Sequence, residues 1–473
     1  MASKWPLKSL KELGVTLIDC VHKTPTAVEK GIPYIGIPQM KNGIIDFSAN
    51  PRLISEEDYQ LWTAKAKPTH GDIVLSRRCN PGETAYVPMG SKFALGQNLV
   101  LLRPDPKKIH PGYLRWVVNS PIWWDEVSKY KNPGAVFDSL KCADIPNFEV
   151  PEPTRSAQIL IDKCLLDISD KIELNHQMNQ TLEQMAQALF KSWFVDFDPV
   201  VDNALDAGFF EQELDLPDEL LRRAEARKAV RAQEGFKPLP AVTRQLFPAA
   251  FEPCAEPTLG LGGWVPKGWK VKELGEISSE LRRGISPKYV DNGGVIVINQ
   301  KCIRNHEISY ELARRHDREN KKIDGREICL GDVLINSTGV GTLGRIAQVT
   351  HLPETSVVDS HVTVIRVKET ECPLYTFGQL MLSMETKIEQ LGEGSTGQTE
   401  LSRKVLSEQL VVLPPYALAL NIDASFKSFS EKQALNRREN IALARLRDTL
   451  LPKLISGELS LDDVELTTQQ GAA

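Results

Sequence analysis

The sequence predicts an α+β protein. Two similar mixed α/β globular domains are separated by two long helices, which pack as an antiparallel coiled coil and form a pseudo-twofold internal repeat. Three observations lead to this fold class. One stretch has the apolar spacing of a coiled-coil helix. That stretch recurs 261 residues later, and a globular stretch precedes each copy.

The first predicted long helix lies between Ser156 and Asp198, where neither Gly nor Pro interrupts the chain. Its seam positions alternate steps of four and three residues, a 3.5-residue period sustained over about four heptads. These positions are Ile161, Leu165, Ile168, Ile172, Asn175, Asn179, Leu182, Ala186 and Leu189. Taken alone, this pattern also fits a long helix that packs on the core of its own domain.

The second predicted helix repeats the first without a gap. Asn175 corresponds to Asn436, and Leu189 corresponds to Leu450. Two copies of one unit most simply meet through the same surface about a twofold axis, and such an axis makes the helices antiparallel. Asn175 and Asn436 lie near the helix midpoints, where polar seam residues fix the register of a coiled coil.

Composition and repeat divide the chain into six parts. The strand-like runs GDIVLSR and GDVLINS occupy matching places in the two globular parts. The part between the first helix and the second domain is charged and rich in Pro and Gly, and predicts a solvated connector; a partner-docking insertion is the alternative. The parts are domain 1 (1–153), the central helix (154–198), the connector (199–263), domain 2 (264–415), the distal helix (416–460) and a flexible tail (461–473).

Charge and cysteine usage favour an ordinary cytoplasmic protein. The net charge is -5, and residues 1–150 carry +4. Nucleic-acid binding would therefore depend on local basic loops rather than on the whole chain. The eight cysteines form no C-x-x-C pair, which favours reduced packing thiols over metal sites or disulfides. No apolar run approaches the roughly 20 residues of a membrane span, and the opening residues lack a signal-peptide core.

Catalytic motifs are weak in this sequence. Gly339 to Gly344 match G-x-G-x-x-G after a predicted strand, but the following residues also resemble a strand. A phosphate-binding turn needs the N-terminus of a helix, so a glycine-rich turn is favoured over a dinucleotide or S-adenosylmethionine site. The sequence contains no G-x-x-x-x-G-K-[ST] motif for ATP, and its histidines have no metal-ligand spacing.

The stretch DISDKIELNHQMNQTLEQMAQALFKSWFVDFDP and the ending LRDTLLPKLISGEL of its second copy resemble the repeated helical regions of type I restriction-modification specificity subunits. The resemblance covers nearly the whole chain and departs from that family in the extended connector. It implies a non-catalytic subunit whose two target recognition domains each read half of a bipartite, asymmetric DNA site. It also implies that the helix pair sets the spacer between the half-sites.

The resemblance implies partners as well. Double-stranded DNA, two methylation subunits and the restriction subunits are the expected partners, and no membrane is involved. S-adenosylmethionine, ATP and magnesium are expected in the partner subunits, with no cofactor in this chain. Two alternatives stay open: a helical scaffold with protein-binding globular ends, and a single-chain restriction-methyltransferase.

Candidate DNA-contacting residues are polar groups at predicted strand ends, because Arg reads guanine, Asn or Gln reads adenine, and Lys, Ser or Thr holds phosphate. In domain 1 they are Lys23, Thr24, Gln39, Lys41, Arg77, Arg78, Asn80 and Asn98. In domain 2 they are Arg282, Arg283, Gln300, Lys301, Arg304, Asn336, Ser337, Thr338, Arg345, Ser395, Thr396, Gln398 and Arg403.

Apolar residues at the ends of the two helices are the candidate docking surface for the methylation subunits. If that surface is real, these residues are exposed in the isolated chain. They are Leu189, Phe190, Trp193, Phe194, Leu450, Leu451, Leu454 and Ile455.

Overall fold

The computed structural model describes residues 3–134, 138–339, 341–392 and 400–460. The first long helix, Arg155–Phe190, and the second long helix, Tyr416–Ser456, confirm the two predicted helices. The chain forms two compact units, unit 1 (1–175 and 439–473) and unit 2 (176–438). The division falls inside both long helices, so each unit contains one globular domain and a part of each helix.

Unit 1 contains the first domain, whose main sheet is antiparallel with the strand order Thr16–Asp19, Leu99–Arg103, Ile73–Ser76, Thr84–Tyr86. A three-stranded sheet has the order Arg52–Ile54, Ile32–Ile35, Ala94–Leu95. Two pairs complete the strands, Leu7–Ser9 with Glu149–Pro151 and Met40–Lys41 with Ile44–Ile45. The domain's helices are Glu56–Trp62, Pro111–Val117 and Pro121–Tyr130.

Unit 2 contains the second domain, which repeats this arrangement. Its main antiparallel sheet has the order Ser278–Arg283, Val362–Val367, Val333–Asn336, Ile346–Gln348. A further sheet has the order Tyr289–Val290, Arg314–His316, Val295–Ile298, Ser356–Val358. Lys270–Glu273 pairs with Leu410–Leu413, and Ile303–Arg304 pairs with Glu307–Ile308. The helices are Leu274–Ile277, Leu374–Ser383, Glu385–Gln390 and Arg403–Ser407.

An ion pair between a half-buried arginine and a buried aspartate shows how closely the two domains match. Arg103 donates to Asp72 through Nε at 2.9 Å and Nη2 at 2.7 Å. In the second domain Arg366 makes the same two bonds to Asp332, each at 2.7 Å. The aspartates precede matching strands, and the arginines lie on their neighbours. The sheet frame is therefore duplicated along with the helices.

The long helices pair in an antiparallel direction within each unit. In unit 1, the Asn175 amide donates to Asn440 Oδ1 at 2.9 Å, and Asn440 donates to the Ile172 carbonyl at 3.2 Å. In unit 2, Asn436 donates to Asn179 Oδ1 at 2.8 Å, and Phe190 lies against Phe426 further along. Asn175 and Asn436 thus occupy the predicted seam, and their partners are Asn440 and Asn179.

The connector is folded rather than solvated, which corrects the sequence expectation. It contains most of the helix Asp198–Asp206 and the helices Asp218–Arg231 and Ala241–Arg244. Its strand Phe251–Pro253 pairs with Trp264–Pro266 at the start of domain 2. Phe209, Phe247 and Phe251 are buried in one core with the end of the first long helix. Its charges bind each other; Arg227 Nη2, for example, lies 2.6 Å from Asp202 Oδ2.

The G-x-G-x-x-G segment forms a turn. Gly339, Gly341 and Gly344 have positive φ angles, and the segment connects the antiparallel strands Val333–Asn336 and Ile346–Gln348. No helix begins there among the described residues, so the anion site that the motif requires is not formed. Across the described part of the chain, no helix is both long and apolar enough to cross a membrane.

Candidate nucleic-acid interface

The candidate DNA-contacting loops of each domain meet at one edge of its main sheet. In the first domain, Asp19 pairs with Val100 and Ser76 with Leu99, so loops 20–24, 77–80 and 97–98 are neighbours. We call these loops the first edge. In the second domain, Arg283 pairs with Thr363, and Asn336 pairs with Val362. The second edge therefore consists of the strand-end residues Arg282, Arg283 and Asn336, the loop residues 284–288, 337–339, 341–345 and 360–361, and Gln300, which contacts Thr338.

Arg77 and His22 organise the first edge. Arg77 Nη2 lies 3.3 Å from His22 Nδ1, and His22 Nε2 lies 2.9 Å from Asp19 Oδ2. The backbone carbonyl of Gln97 lies 3.1 Å from His22 Nδ1. These contacts hold one guanidinium and one imidazole against the sheet edge. The same loops contain four exposed polar residues: Lys23, Thr24, Arg78 and Asn80.

Asp19, Cys20 and His22 have ligand atoms within 4.8 Å of one another, a spacing that suits a metal ion. The surroundings do not suit one. The Arg77 guanidinium lies 3.3 Å from Nδ1 of the His22 imidazole. Burial raises the pKa of the Cys20 thiol to about 11. The positive charge of the Arg77 guanidinium repels a cation at this position, so we assign no metal to this group.

The second edge has a different set of polar groups. Gln300 Nε2 donates to Thr338 Oγ1 at 2.7 Å, and Thr338 Oγ1 lies 2.8 Å from His361 Nδ1. Asn336 donates to the Gln300 carbonyl at 3.1 Å. Ser337 Oγ is 2.6 Å from the hydroxyl of the neighbouring strand's Thr363 and lies beneath this network. The result is a network of amide, hydroxyl and imidazole groups where the first edge has an arginine and a histidine.

The arginines of the second edge are partly held by the chain itself. Arg283 Nη2 donates to Glu400 Oε1 at 2.9 Å and to the Leu401 carbonyl at 2.8 Å, and burial lowers its pKa. Arg282 donates to Glu280 at 2.5 Å, and Arg345 donates to the Gly341 carbonyl at 2.8 Å. These three side chains therefore help to hold the second edge together through contacts within the chain.

The candidate residues differ in exposure. The exposed ones are Lys23, Thr24, Lys41, Arg78, Asn80, Lys301, Arg304 and Arg403, and the half-buried ones are Arg77, Asn98, Arg282, Arg283, Gln300, Thr338 and Arg345. Ser395, Thr396 and Gln398 lie outside the described residues. His22 and His361 were not predicted from the sequence, although His361 precedes a strand at the place that Asn98 occupies in the first domain.

Three candidates are buried, which corrects the expectation that they are exposed loop groups: Gln39, Asn336 and Ser337. Gln39 shows the reason. Its Oε1 accepts from the Gly36 backbone, and its Nε2 donates to the Ala49 carbonyl, each at 3.0 Å. The amide holds a turn in place instead of facing solvent.

The apolar helix ends are not an exposed docking surface, so that expectation is wrong. Phe190, Trp193 and Phe194 are buried in the core of unit 2, against the folded connector. Leu454 and Ile455 are buried in the core of unit 1. Three further members pack against the same cores: Leu189, Leu450 and Leu451.

Other apolar residues of the long helices are exposed, and they follow the repeat. Ile159 and Leu420 are 46% and 53% exposed, and Leu174 and Leu435 are both 52% exposed. Met185 and Leu446 follow at 49% and 47%. The steps along each helix, about four turns and then about three, keep these residues on one side of it. We call them the first stripe (Ile159, Leu174, Met185) and the second stripe (Leu420, Leu435, Leu446).

Comparisons with known proteins agree with this geometry. A family model described as the type I restriction modification DNA specificity domain matches residues 3–184 and again 266–445. The chain is 25% identical over 426 residues to the type I restriction enzyme HindI specificity subunit of Haemophilus influenzae, covering 84% of this chain and 88% of that protein.

A second relative and a solved structure extend the comparison. The type I restriction enzyme MjaIX specificity subunit of Methanocaldococcus jannaschii is 24% identical over 473 residues, covering 97% of this chain and 94% of that protein. The crystal structure of a type I restriction-modification S subunit from M. genitalium superposes with a TM-score of 0.51 at 13% identity, covering 96% of each chain. At that identity the structural match supports the fold.

Proposed function

Because the chain belongs to the family of type I restriction-modification DNA specificity domains, of which it carries two copies, we propose that each copy reads one half of a bipartite, asymmetric DNA site. One observation carries this proposal. The same sheet edge is built twice on one frame, and the two edges hold unlike polar groups. A duplicated frame with identical edges would read the same half-site twice, whereas unlike edges read two different ones.

The chemistry of the two edges suits different bases. The first edge places Arg77 and the exposed Arg78, which suit guanine and phosphate contacts, beside Asn80, which suits adenine. The second edge presents Gln300, Thr338 and His361, groups that donate and accept hydrogen bonds. Lys301 and Arg304 are exposed nearby and suit phosphate contacts.

The two exposed stripes support docking of two copies of one partner. Identical partners need equivalent surfaces, and the repeat supplies them. Each unit contains part of both stripes. Unit 1 carries Ile159 and Leu174 of the first stripe with Leu446 of the second, and unit 2 carries Leu420 and Leu435 of the second stripe with Met185 of the first. Two methylation subunits are the partners that we assign to these surfaces.

The catalytic work of the complex then belongs to its other subunits. The relatives are named specificity subunits, and the family model describes a DNA specificity domain, which argues against a single-chain restriction-methyltransferase. S-adenosylmethionine, ATP and magnesium are proposed to bind in the methylation and restriction subunits. The site of action is proposed to be the cytoplasm, where the DNA is.

A domain exchange tests the proposal. Residues 1–153 are replaced by the corresponding domain of another specificity subunit, and the methylated sites of the host genome are mapped by sequencing. We expect one half of the site to change while the other half and the spacer stay the same. Exchange of residues 264–415 is the matched experiment and should change only the other half. A change in both halves, or in neither, contradicts the assignment of one half-site to each domain.

DNA binding separates this function from that of a protein-binding scaffold. The purified complex should bind a duplex that contains the mapped split site, and the affinity should fall as salt rises, because phosphate neutralisation releases counterions. A duplex with both halves scrambled is the control. Equal binding of the two duplexes, or no dependence on salt, would favour the scaffold.

A further inference from the structure

A two-residue hairpin turn differs between the domains in an informative way. In the first domain the turn is Asn42–Gly43, with φ angles of 50° and 78°. In the second it is Asn305–His306, with φ angles of 51° and 59°. A turn with two positive φ angles favours Asn-Gly, since a β-carbon is strained in that conformation. The second domain therefore keeps histidine at a position where the backbone favours glycine.

The His306 side chain makes contacts that account for its presence. Its Nδ1 lies 3.0 Å from Glu183 Oε1 on the first long helix, and its Nε2 lies 2.8 Å from Glu385 Oε2 at the start of the helix Glu385–Gln390. Hydrogen bonds to these carboxylates raise the pKa of His306 to about 9, so the imidazole is charged at neutral pH. A charged imidazole donates from both nitrogens, which matches the two acceptors.

The turn makes a second polar contact with the long helices. Glu307, next to His306, lies 2.9 Å from Arg437 Nη2 on the second long helix. Among the described residues of the first domain, no contact equivalent to the histidine bridge is present. Gly43 has no side chain, and the residue that corresponds to Glu183 in the repeat is Ala444. The bridge is therefore particular to the second domain.

The bridge also reaches the second edge. Glu385 uses its other oxygen to accept from the Ile346 backbone at 2.9 Å, directly after the edge-loop residues 341–345. A cleft of about 710 Å³ lies beside the bridge, between the first long helix and this loop. The cleft is open rather than filled with apolar side chains. On this side, the domain therefore contacts the long helices through hydrogen bonds and ion pairs. The titratable and charged groups around the cleft are His176, Glu183, Glu307, Arg345, Glu385 and Glu389.

We propose that His306 is a positioning residue that fixes the second recognition domain on the long helices and holds its edge loop in place to read the second half-site. The chain of contacts runs from Glu183 through His306 and Glu385 to Ile346. The DNA-reading part of this inference rests on the proposed function, whereas the bridge itself does not.

His306→Gly distinguishes a bridge from a simple turn residue, because the two roles predict opposite changes in the rate of amide exchange. Glycine relieves the turn, so a simple turn residue predicts slower amide exchange in segment 303–308. Loss of the bridge predicts exchange about tenfold faster there and in segment 341–348. Asn305→Gly is the matched control; it relieves the same turn and keeps the bridge, so exchange should not rise. Exchange is measured by mass spectrometry on the assembled complex at one pH.

The second part of the experiment measures DNA binding by the same complexes, with duplexes that contain the mapped split site. For His306→Gly we expect about tenfold weaker binding and less discrimination against a base change in the second half-site, with discrimination in the first half-site unchanged. Wild-type binding should also weaken as the pH rises through about 9, while the variant shows no such step.

Each outcome decides one part of the inference. Slower exchange in His306→Gly overturns the bridge. Faster exchange with unchanged reading of the second half-site overturns the positioning role. If the wild-type complex shows no preference for a split site, the proposed function fails, and the exchange measurement still decides whether the bridge exists.

Discussion

The side-chain amide of Asn175 donates to Oδ1 of Asn440 at 2.9 Å inside the paired long helices, and both residues are buried. The repeat makes the same bond between Asn436 and Asn179 at 2.8 Å. Polar pairs in an apolar seam cost stability but penalise every register that separates them. The two bonds therefore specify how the helices align in each unit.

Asn175→Leu should destabilise unit 1 by about 1–3 kcal/mol, because Asn440 Oδ1 loses its donor while it stays buried. Adding Asn440→Leu should recover most of the loss, since no polar side chain is then left unpaired. Urea unfolding of the wild type, Asn175→Leu, Asn440→Leu and the double variant gives the coupling energy between the two amides. Asn436→Leu with Asn179→Leu repeats the cycle in unit 2. Additive effects would show that the amides do not act as a pair.

Lys23 tests the electrostatic part of DNA binding at the first edge. Lys23→Ala should weaken binding to all duplexes alike and reduce the slope of log affinity against log salt by about 1, as expected for one lost phosphate contact. Lys237→Ala removes the same charge from the connector and should change neither quantity. Asn80→Ala should instead relax selectivity at one position of the first half-site. A sequence-dependent loss in Lys23→Ala would indicate base reading.

The exposed stripes and the buried aromatic residues should respond differently to charge. Leu174→Asp should reduce the complex from two methylation subunits to one, and Leu174→Asp with Leu435→Asp should leave none, while circular dichroism stays native. Leu174→Met keeps the apolar surface and should retain both subunits. Trp193→Asp should unfold unit 2, because it buries a charge among aromatic rings. Native mass spectrometry measures the stoichiometry, and two bound subunits in the double variant would exclude the stripes.

The His306 bridge predicts a specific pH dependence of stability. Its folded pKa is raised from 6.5 to about 9, so its contribution is complete below pH 6.5 and is lost as the pH rises towards 9. Burial opposes ionisation of Glu183 and Glu385, but their hydrogen bonds to His306 prevail and lower both pKa values. The carboxylate contribution is therefore lost in acid, as the pH falls below 4.5.

The measurement is the difference in unfolding free energy between wild type and His306→Gly from pH 4 to pH 10. It should be largest near pH 6 and shrink in both directions. A difference that stays constant with pH would mean that folding does not shift the pKa of the histidine, which would contradict the bridge.

The sequence predicted those features that depend on periodicity and repetition. The seam spacing and the 261-residue offset predicted both long helices, their antiparallel pairing and the duplicated sheet frame. The same pattern could not show what covers an apolar helix end. Phe190, Trp193 and Phe194 are as apolar as a docking surface, but the connector folds over them. The connector's charges suggested solvation because the partners in its ion pairs are far apart in sequence, for example 25 residues for Arg227 with Asp202 and 38 for Arg244 with Asp206.

The candidate interface was predictable in part. Strand ends placed most of the polar candidates together at one edge of each main sheet, since loops that follow paired antiparallel strands must lie together. Burial was not predictable, because Gln39 and Asn336 differ from exposed loop amides only in their tertiary partners. The role of His306 required the φ angles and the position of Glu183, neither of which has a local sequence signal.

The last prediction concerns helix length and DNA spacing. Both long helices pass from one unit to the other without a break, at residues 175/176 and 438/439. Four residues inserted at both points lengthen the pair by about one turn, ~6 Å. Every described bond within each unit is kept, including Asn175–Asn440 and Asn436–Asn179. Because DNA rises about 3.4 Å per base pair, the spacer in the methylated site should grow by one or two base pairs while both half-sites stay the same.

Four residues inserted after Asn175 alone leave the second helix short, so the paired seam should strain and methylation should fall. Two residues inserted at both points rotate the seam away from its partner and should abolish activity. Methylome sequencing checks all three variants. An active paired insertion with the original spacer would show that the helices do not set the distance between half-sites.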